Sequence, residues 1–552
     1  MKRLTIIIAC SFISFITWAQ DNSNGTIQGD FNLSTQSYYE DPTINAEKVD
    51  EFMLMNAYSN IRYNKGNFTA GVRFESYLNV LQGFESNFNG NGIPYRFAQY
   101  NVNGLDITVG NFYEQFGNGL IFRSYEEKTL GIDNVMDGVR LKYSPLKGLS
   151  LKGFVGTQRL FWEQGPGIIR GFDADLNLNE AISYLESSKT NAIIGGSFMS
   201  RFQDDNNPVF NLPENVAAYA IRSTVNRGKI SFNTEYAYKY NDPAGGITYN
   251  NFTPGSALMT NLSYSQRGLG IILEAHRVDN MDYRSKRGGT GKELTLNYIP
   301  AISKQHAYTL AAFYPFATQP LGELGFQGEI NYTFKKKSKL GGKYGTQVAV
   351  NYSRINGLNG GPSELTINRD HTPMFFSVIN EELYFRDFNF DIKKKISKKV
   401  KVMLNYLDVI YNKDVIEGKI IGKNLHARIG IAEVNYKIKP KHTLRSEFQY
   451  LSVDKSNEYY KDQGDWVMGL IEYTFSPHWF FAFVDQYNGG YTSEGKTYEA
   501  VHYLNISCGY SKRTNRFELG YGKVREGIFC VGGVCRNVPS SNGFTLNITS
   551  SF

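Results

Sequence analysis

The sequence predicts an all-β protein: one large antiparallel transmembrane β-barrel of about 26 strands, within a range of roughly 24–26, and no separate plug domain. Three observations carry that expectation. The chain ends on Phe544, Leu546, Ile548, Ser550 and Phe552 on one face and Thr545, Asn547, Thr549 and Ser551 on the other. Alternation at a period of two gives a strand one apolar and one polar side, which a membrane barrel sets against lipid and lumen. The same pattern recurs along most of the chain, and short turns alternate with long loops.

The start of the chain reads as an export signal. Met1, Lys2 and Arg3 are followed by an apolar run from Leu4 to Ile16 and by Thr17-Trp18-Ala19, so residues 1–19 are expected to be a signal peptide and 20–552 the barrel. No later apolar run reaches the ~18 residues of a membrane helix, and mean hydropathy is −0.37. Any span is therefore made of strands. The first begins near Gly25, which leaves no room before it for an energy-coupled receptor's plug.

Individual strands are legible. Ile230, Phe232, Tyr236 and Tyr238 alternate against Ser231, Asn233, Glu235 and Lys239, which points Glu235 and Lys239 into the lumen. Phe326, Ile330, Tyr332 and Phe334 repeat the pattern against Gln327, Glu329, Asn331 and Thr333. Short turns at 64–66, 103–104, 145–148, 226–228, 266–268, 335–339, 393–399, 437–441, 475–478 and 511–515 all fall on one side. Long loops interleave near 116–136, 202–215, 242–256, 279–291, 356–382, 412–423, 454–465, 488–499 and 526–542. In outer-membrane barrels the short turns are periplasmic, and an even strand count places both termini there. Phe544, Leu546, Ile548 and the terminal Phe552 also resemble the C-terminal signal read by barrel-insertion machinery, which would be a partner during biogenesis.

Composition agrees: 38 Tyr, 38 Phe and 54 Gly supply aromatic girdles and tight turns. Much of the net charge of +7 sits in the basic turns. These either attract anionic headgroups or an acidic periplasmic partner, or are solvated residues beside a membrane. Nucleic acid is excluded as a partner, because the lysines are spread over separate turns without interleaved stacking aromatics. Lipid and lipopolysaccharide are the expected surroundings, with a lipoprotein or periplasmic protein as a further candidate partner.

Cys530 and Cys535, separated by Val-Gly-Gly-Val in the last long loop, are expected to form a small disulfide suited to an oxidising compartment. Cys508 shares a face with Leu504, Ile506 and Tyr510 and is expected to meet lipid. No metal or cofactor site is expected. The histidines are scattered, and His276 with Asp279 is the nearest approach to a catalytic pair, so the chain is read as non-enzymatic.

Two stretches are candidate lumen elements. Residues 110–134 are glycine-rich and carry Arg123, Glu126, Glu127, Lys128 and Asp133, which could fold back and pair with lumen charges as a plug or gate; an ordinary surface loop is the alternative. Asp173, Asp175, Asn177 and Asn179 form a polar ladder on one strand face, suited either to pairing with lumen Arg and Lys or, without a wrapping turn, poorly to a hard cation. The segment 110–134, continuing through Asp137-Gly138-Val139-Arg140-Leu141-Lys142, together with 169–179, resembles a Bacteroidetes-type family of outer-membrane barrels of unknown function. That resemblance implies compartment and fold and brings no activity.

Function is expected to be transport: a channel or conduit gated by its own loops at 110–134 or 356–382. The alternative is a non-catalytic structural subunit of an envelope secretion, assembly or surface-display complex. A barrel this wide needs its lumen filled by its own loops or by another protein.

Overall fold

A computed structural model describes residues 25–209, 211–242, 254–289, 291–358, 382–493 and 496–552. The expected signal peptide and most of the loop 356–382 lie outside the described residues. Twenty-four strands join edge to edge, and the sheet closes where Thr26–Tyr38 pairs antiparallel with Ser541–Ser551. Closure matters because hydrocarbon offers no partner for a free strand edge. At the seam the terminal Phe552 exchanges backbone hydrogen bonds of 2.9 and 3.0 Å with Gly29. Phe544 and Phe552 are exposed on the outer surface, while Leu546 and Ile548 are half-buried between them.

The count of 24 lies at the lower end of the expected 24–26. Residues 280–321, enough chain for two strands, leave the wall after Leu269–Asp279 and rejoin it at Gly322–Phe334 without adding a strand to it. The outer surface is apolar and aromatic, as in Phe68, Val72 and Phe74 of Phe68–Leu78 and Phe481 and Phe483 of Trp479–Asn488. Turn asymmetry also holds. Val102 and Leu105, Gln266 and Leu269, and Lys512 and Asn515 bound tight turns at one end, with Gly104 and Gly268 in the left-handed region that such turns require. Residues 178–189 are a longer connection at that end, opening with the short helix Leu178–Ala181.

Along the inward face, burial changes with depth. In Leu425–Lys439 the inward Leu425, Ala427, Ile429 and Ile431 are buried, Glu433 and Asn435 are half-buried, and Lys437 is exposed. Leu383–Lys395 repeats the gradient, from buried Phe385, Asp387, Asn389 and Asp391 to exposed Lys393 and Lys395. The lumen is thus filled near the long-loop end and open as a vestibule near the short-turn end.

Two apolar clusters lie inside the barrel. One joins Phe112, Phe116, Leu120, Ile121 and Phe122 to inward wall residues such as Ala218, Ala237 and Val278. The other joins Leu310, Phe313, Tyr314 and Phe316 to Ile355, Leu407, Ile429 and Trp466. The polar lumen face expected from alternation holds only in part: inward positions near the long loops are apolar because they pack against inserted chain rather than water.

Candidate functional site

The larger inserted segment, 280–321, closes at its neck where the Met281 amide donates to the Pro320 carbonyl at 2.7 Å. Its far side is tied to the wall by polar contacts. Lys304 Nζ lies 2.9 Å from Asp391 and 3.1 Å from Asn389 Oδ1, and His306 Nε2 lies 2.7 Å from Asp387. The Tyr308 hydroxyl donates to Glu433 at 3.0 Å, the Leu310 amide to Gln449 Oε1 at 2.8 Å, and the Tyr314 hydroxyl to Asp462 at 2.8 Å. Wall Gly325 lets the segment approach closely, since a Cβ there would collide with Ile302.

The smaller segment, 113–135, lies inside the barrel beside it. The Asn118 amide donates to wall Glu235 Oε2 at 2.7 Å. The two segments also bind each other, with the Arg123 amide donating to Leu296 O at 2.8 Å and the Tyr298 amide to Gly119 O at 2.9 Å. The Arg123 guanidinium lies 4.0 Å from the Tyr298 ring centroid and 4.6 Å from that of Tyr125.

The other expected plug residues divide. Glu126 Oε1 lies 2.7 Å from wall Arg73, and Asp133 lies 2.7 Å from wall Arg159, which also holds Glu75 at 2.7 Å. Burial pushes the Glu126 and Asp133 carboxyls upward against the pull of the arginines. Glu75, Glu126 and Asp133 sit close enough together to hold a cation, but Arg73 and Arg159 already occupy the space between them. Glu127 instead accepts from the Thr129 amide at 3.0 Å, and Lys128 lies 4.3 Å from the Tyr58 ring centroid. At the base of the segment buried Glu114 meets Lys142 at 2.7 Å and Lys152 at 3.4 Å. Burial alone would raise its carboxyl, but these lysines hold it below the usual carboxylate range.

The polar ladder is shorter than expected. Asp173 is fully buried, 2.8 Å from Arg222 and 2.6 Å from Ser197 Oγ, and Asp175 lies 2.6 Å from Arg222. Asn177 ends the strand and caps the helix Leu178–Ala181, and Asn179 lies inside that helix, because the strand stops before the alternation does. Nor does the structure join His276 to Asp279: His276 Nε2 is 2.6 Å from Glu323, while Asp279 pairs with Arg277 at 3.1 Å.

Cys530 and Cys535 form a disulfide across the hairpin of Gly527–Val531 and Val534–Val538. This hairpin sits on both inserted segments. Gly532 O accepts from the Tyr298 hydroxyl at 2.7 Å, Gly533 O from the Thr318 amide at 3.1 Å, and Cys530 O from Gln305 at 3.1 Å. Arg536 Nε donates to Thr129 O at 2.7 Å. Sequence reasoning missed 280–321, although Pro300, Pro315 and Pro320 argued against central strands there.

A closed sheet with an apolar exterior and a lumen filled by its own loops defines a transmembrane β-barrel of the outer-membrane type. The chain belongs to the family of unknown function DUF6029, which it matches over residues 1–552. No curated protein matches the sequence. Among solved structures it is similar to a chain of the E. coli P pilus tip assembly intermediate PapC-PapD-PapK-PapG, at 9% identity and TM-score 0.49, covering 98% of this chain and 62% of that one. The ferric enterobactin receptor PfeA of Pseudomonas aeruginosa gives 8% identity and TM-score 0.43, covering 97% and 81%. The copper transporter OprC gives 8% identity and TM-score 0.41, covering 96% and 80%. These likenesses concern architecture alone.

Proposed function

We propose that the protein is a gated conduit of the outer membrane, non-catalytic, with the short turns and both termini on the periplasmic side. The observation that carries this reading is the plug itself: two segments of the same chain fill the long-loop half of the lumen and leave a vestibule below. Their ties to the wall include exchangeable ion pairs and hydrogen bonds, Lys304 to Asp391 and Asn118 to Glu235 among them. Such contacts are replaced by water at modest net cost when a segment moves.

The test is conductance in planar bilayers. The intact protein is expected to conduct in brief, rare steps, and a variant with 286–318 replaced by a short Gly-Ser linker in large sustained ones. A deletion variant that still shows the heat-modifiable migration of a folded barrel, yet passes no current, overturns the reading. The two apolar clusters favour a second one, a permanently closed barrel serving as a docking subunit of an envelope complex. Under it, native pull-down recovers a reproducible lipoprotein or periplasmic partner and neither form conducts.

A further inference from the structure

Residues 335–343, 393–401 and 437–441 together carry fourteen lysines and no acidic residue. The fold brings them side by side. They occupy three successive short turns and the adjoining strand ends, from Gly322–Phe334 round to His442–Val453, six neighbouring strands of the wall. None of these lysines forms an ion pair among the described residues.

Their direction is informative. Lys393, Lys395, Lys401 and Lys437 share parity with the buried inward residues Asp387, Asn405 and Ile429, so they line the inside of the vestibule mouth; beyond Lys437 a bulge shifts the register. Lipid headgroups lie on the other side of the wall. Lys395 stands directly opposite Lys401 in the strand register, an arrangement that is unfavourable without an anion between. Adjacent strands are ~4.8 Å apart, so six of them make an arc of about 24 Å. That exceeds a small anion and matches an extended chain of about seven residues or more.

We propose that this basic arc is a docking site for an acidic segment of a soluble protein on the short-turn side of the membrane. It holds for an open or a closed barrel, so a protein that never conducts leaves it intact. Charge complementarity of this kind draws an acidic chain into a cleft and makes its binding salt-dependent.

The test uses the full chain in nanodiscs of zwitterionic phosphatidylcholine and the anisotropy of a fluorescein-labelled peptide of about twelve glutamates. Saturable binding is expected, weakened at least about tenfold between roughly 50 and 300 mM salt. Reversal of the inward residues by Lys393→Glu, Lys395→Glu, Lys401→Glu and Lys437→Glu should abolish it. The milder Lys395→Gln, Lys401→Gln, Lys437→Gln set, checked for heat-modifiable migration, should weaken it about tenfold. Lys229→Glu with Arg267→Glu, basic turn residues outside the arc, should leave it unchanged. No saturable binding, or an equal loss in that control, overturns the proposal. It is also overturned if the inward variants keep peptide binding but lose co-purified phosphatidylglycerol, which would make the occupant a lipid.

Discussion

The Tyr298 hydroxyl donates to the Gly532 carbonyl at 2.7 Å, so the tip of the disulfide-closed hairpin rests directly on the larger lumen segment. Thr318 and Gln305 bind the same hairpin, and Arg536 extends it to the smaller segment. Gly532, the first of two adjacent left-handed glycines, thereby joins the last long loop to chain more than two hundred positions earlier.

Releasing this hairpin should free the plug. With Cys530→Ser and Cys535→Ser, loss of two of its hydrogen bonds, ~2 kcal/mol in all, corresponds to about a thirtyfold rise in open probability. Single-channel recording checks this. Dithiothreitol should reproduce the effect in the intact protein and add nothing in the variant.

Gly117 has φ +50 and stands where a Cβ would collide with the Glu235 carboxylate. Gly117→Ala is expected to cost ~1–2 kcal/mol from backbone conformation, with displacement of Glu235 in addition. Hydrogen exchange should speed up across 113–135 while amides of the wall strands keep their protection. Unchanged exchange in the segment would mean that its docking does not depend on this approach.

Arg159 neutralises two carboxylates at once, Glu75 and Asp133, both at 2.7 Å. Arg159→Met leaves them buried together, a change expected to cost ~3–5 kcal/mol. Urea titration in detergent micelles should show the loss, and adding Glu75→Gln should restore part of it. Equal stability of the two variants would refute the coupling.

Glu114 gives the smaller segment a pH dependence. Its carboxyl is held low by Lys142 and Lys152 in the docked state, so the stabilisation is complete above the ordinary glutamate pKa of about 4.3 and fades as pH falls through the lowered value. Protease sensitivity of 113–135 should rise only in that acidic window. Glu114→Gln should flatten the dependence and leave the segment looser at neutral pH.

Strand residues were readable because each wall strand answers to a local rule. Glu235 and Lys239 face inward as their spacing required, and the turns around Gly104 and Gly268 lie where tight chain reversal needs glycine. Glu126 and Asp133 were named as charges that would meet the lumen, yet their partners Arg73 and Arg159 were not. Those arginines come from Phe68–Leu78 and Leu149–Leu160, strands with three others between them in the wall. The apolar residues Leu296, Ile299 and Phe313 imitate wall strands, and only the nearby prolines dissent.

Alternation along the chain by itself determined a lipid-facing exterior, a closed antiparallel sheet and the side on which the short turns fall, since side-chain parity is set by neighbouring residues. Tertiary structure alone decided which inward positions are dry, which segment fills the barrel, and that three lysine-bearing turns form one arc. Those properties depend on what lies across the lumen, and contacts across a cylinder join residues that no local period connects.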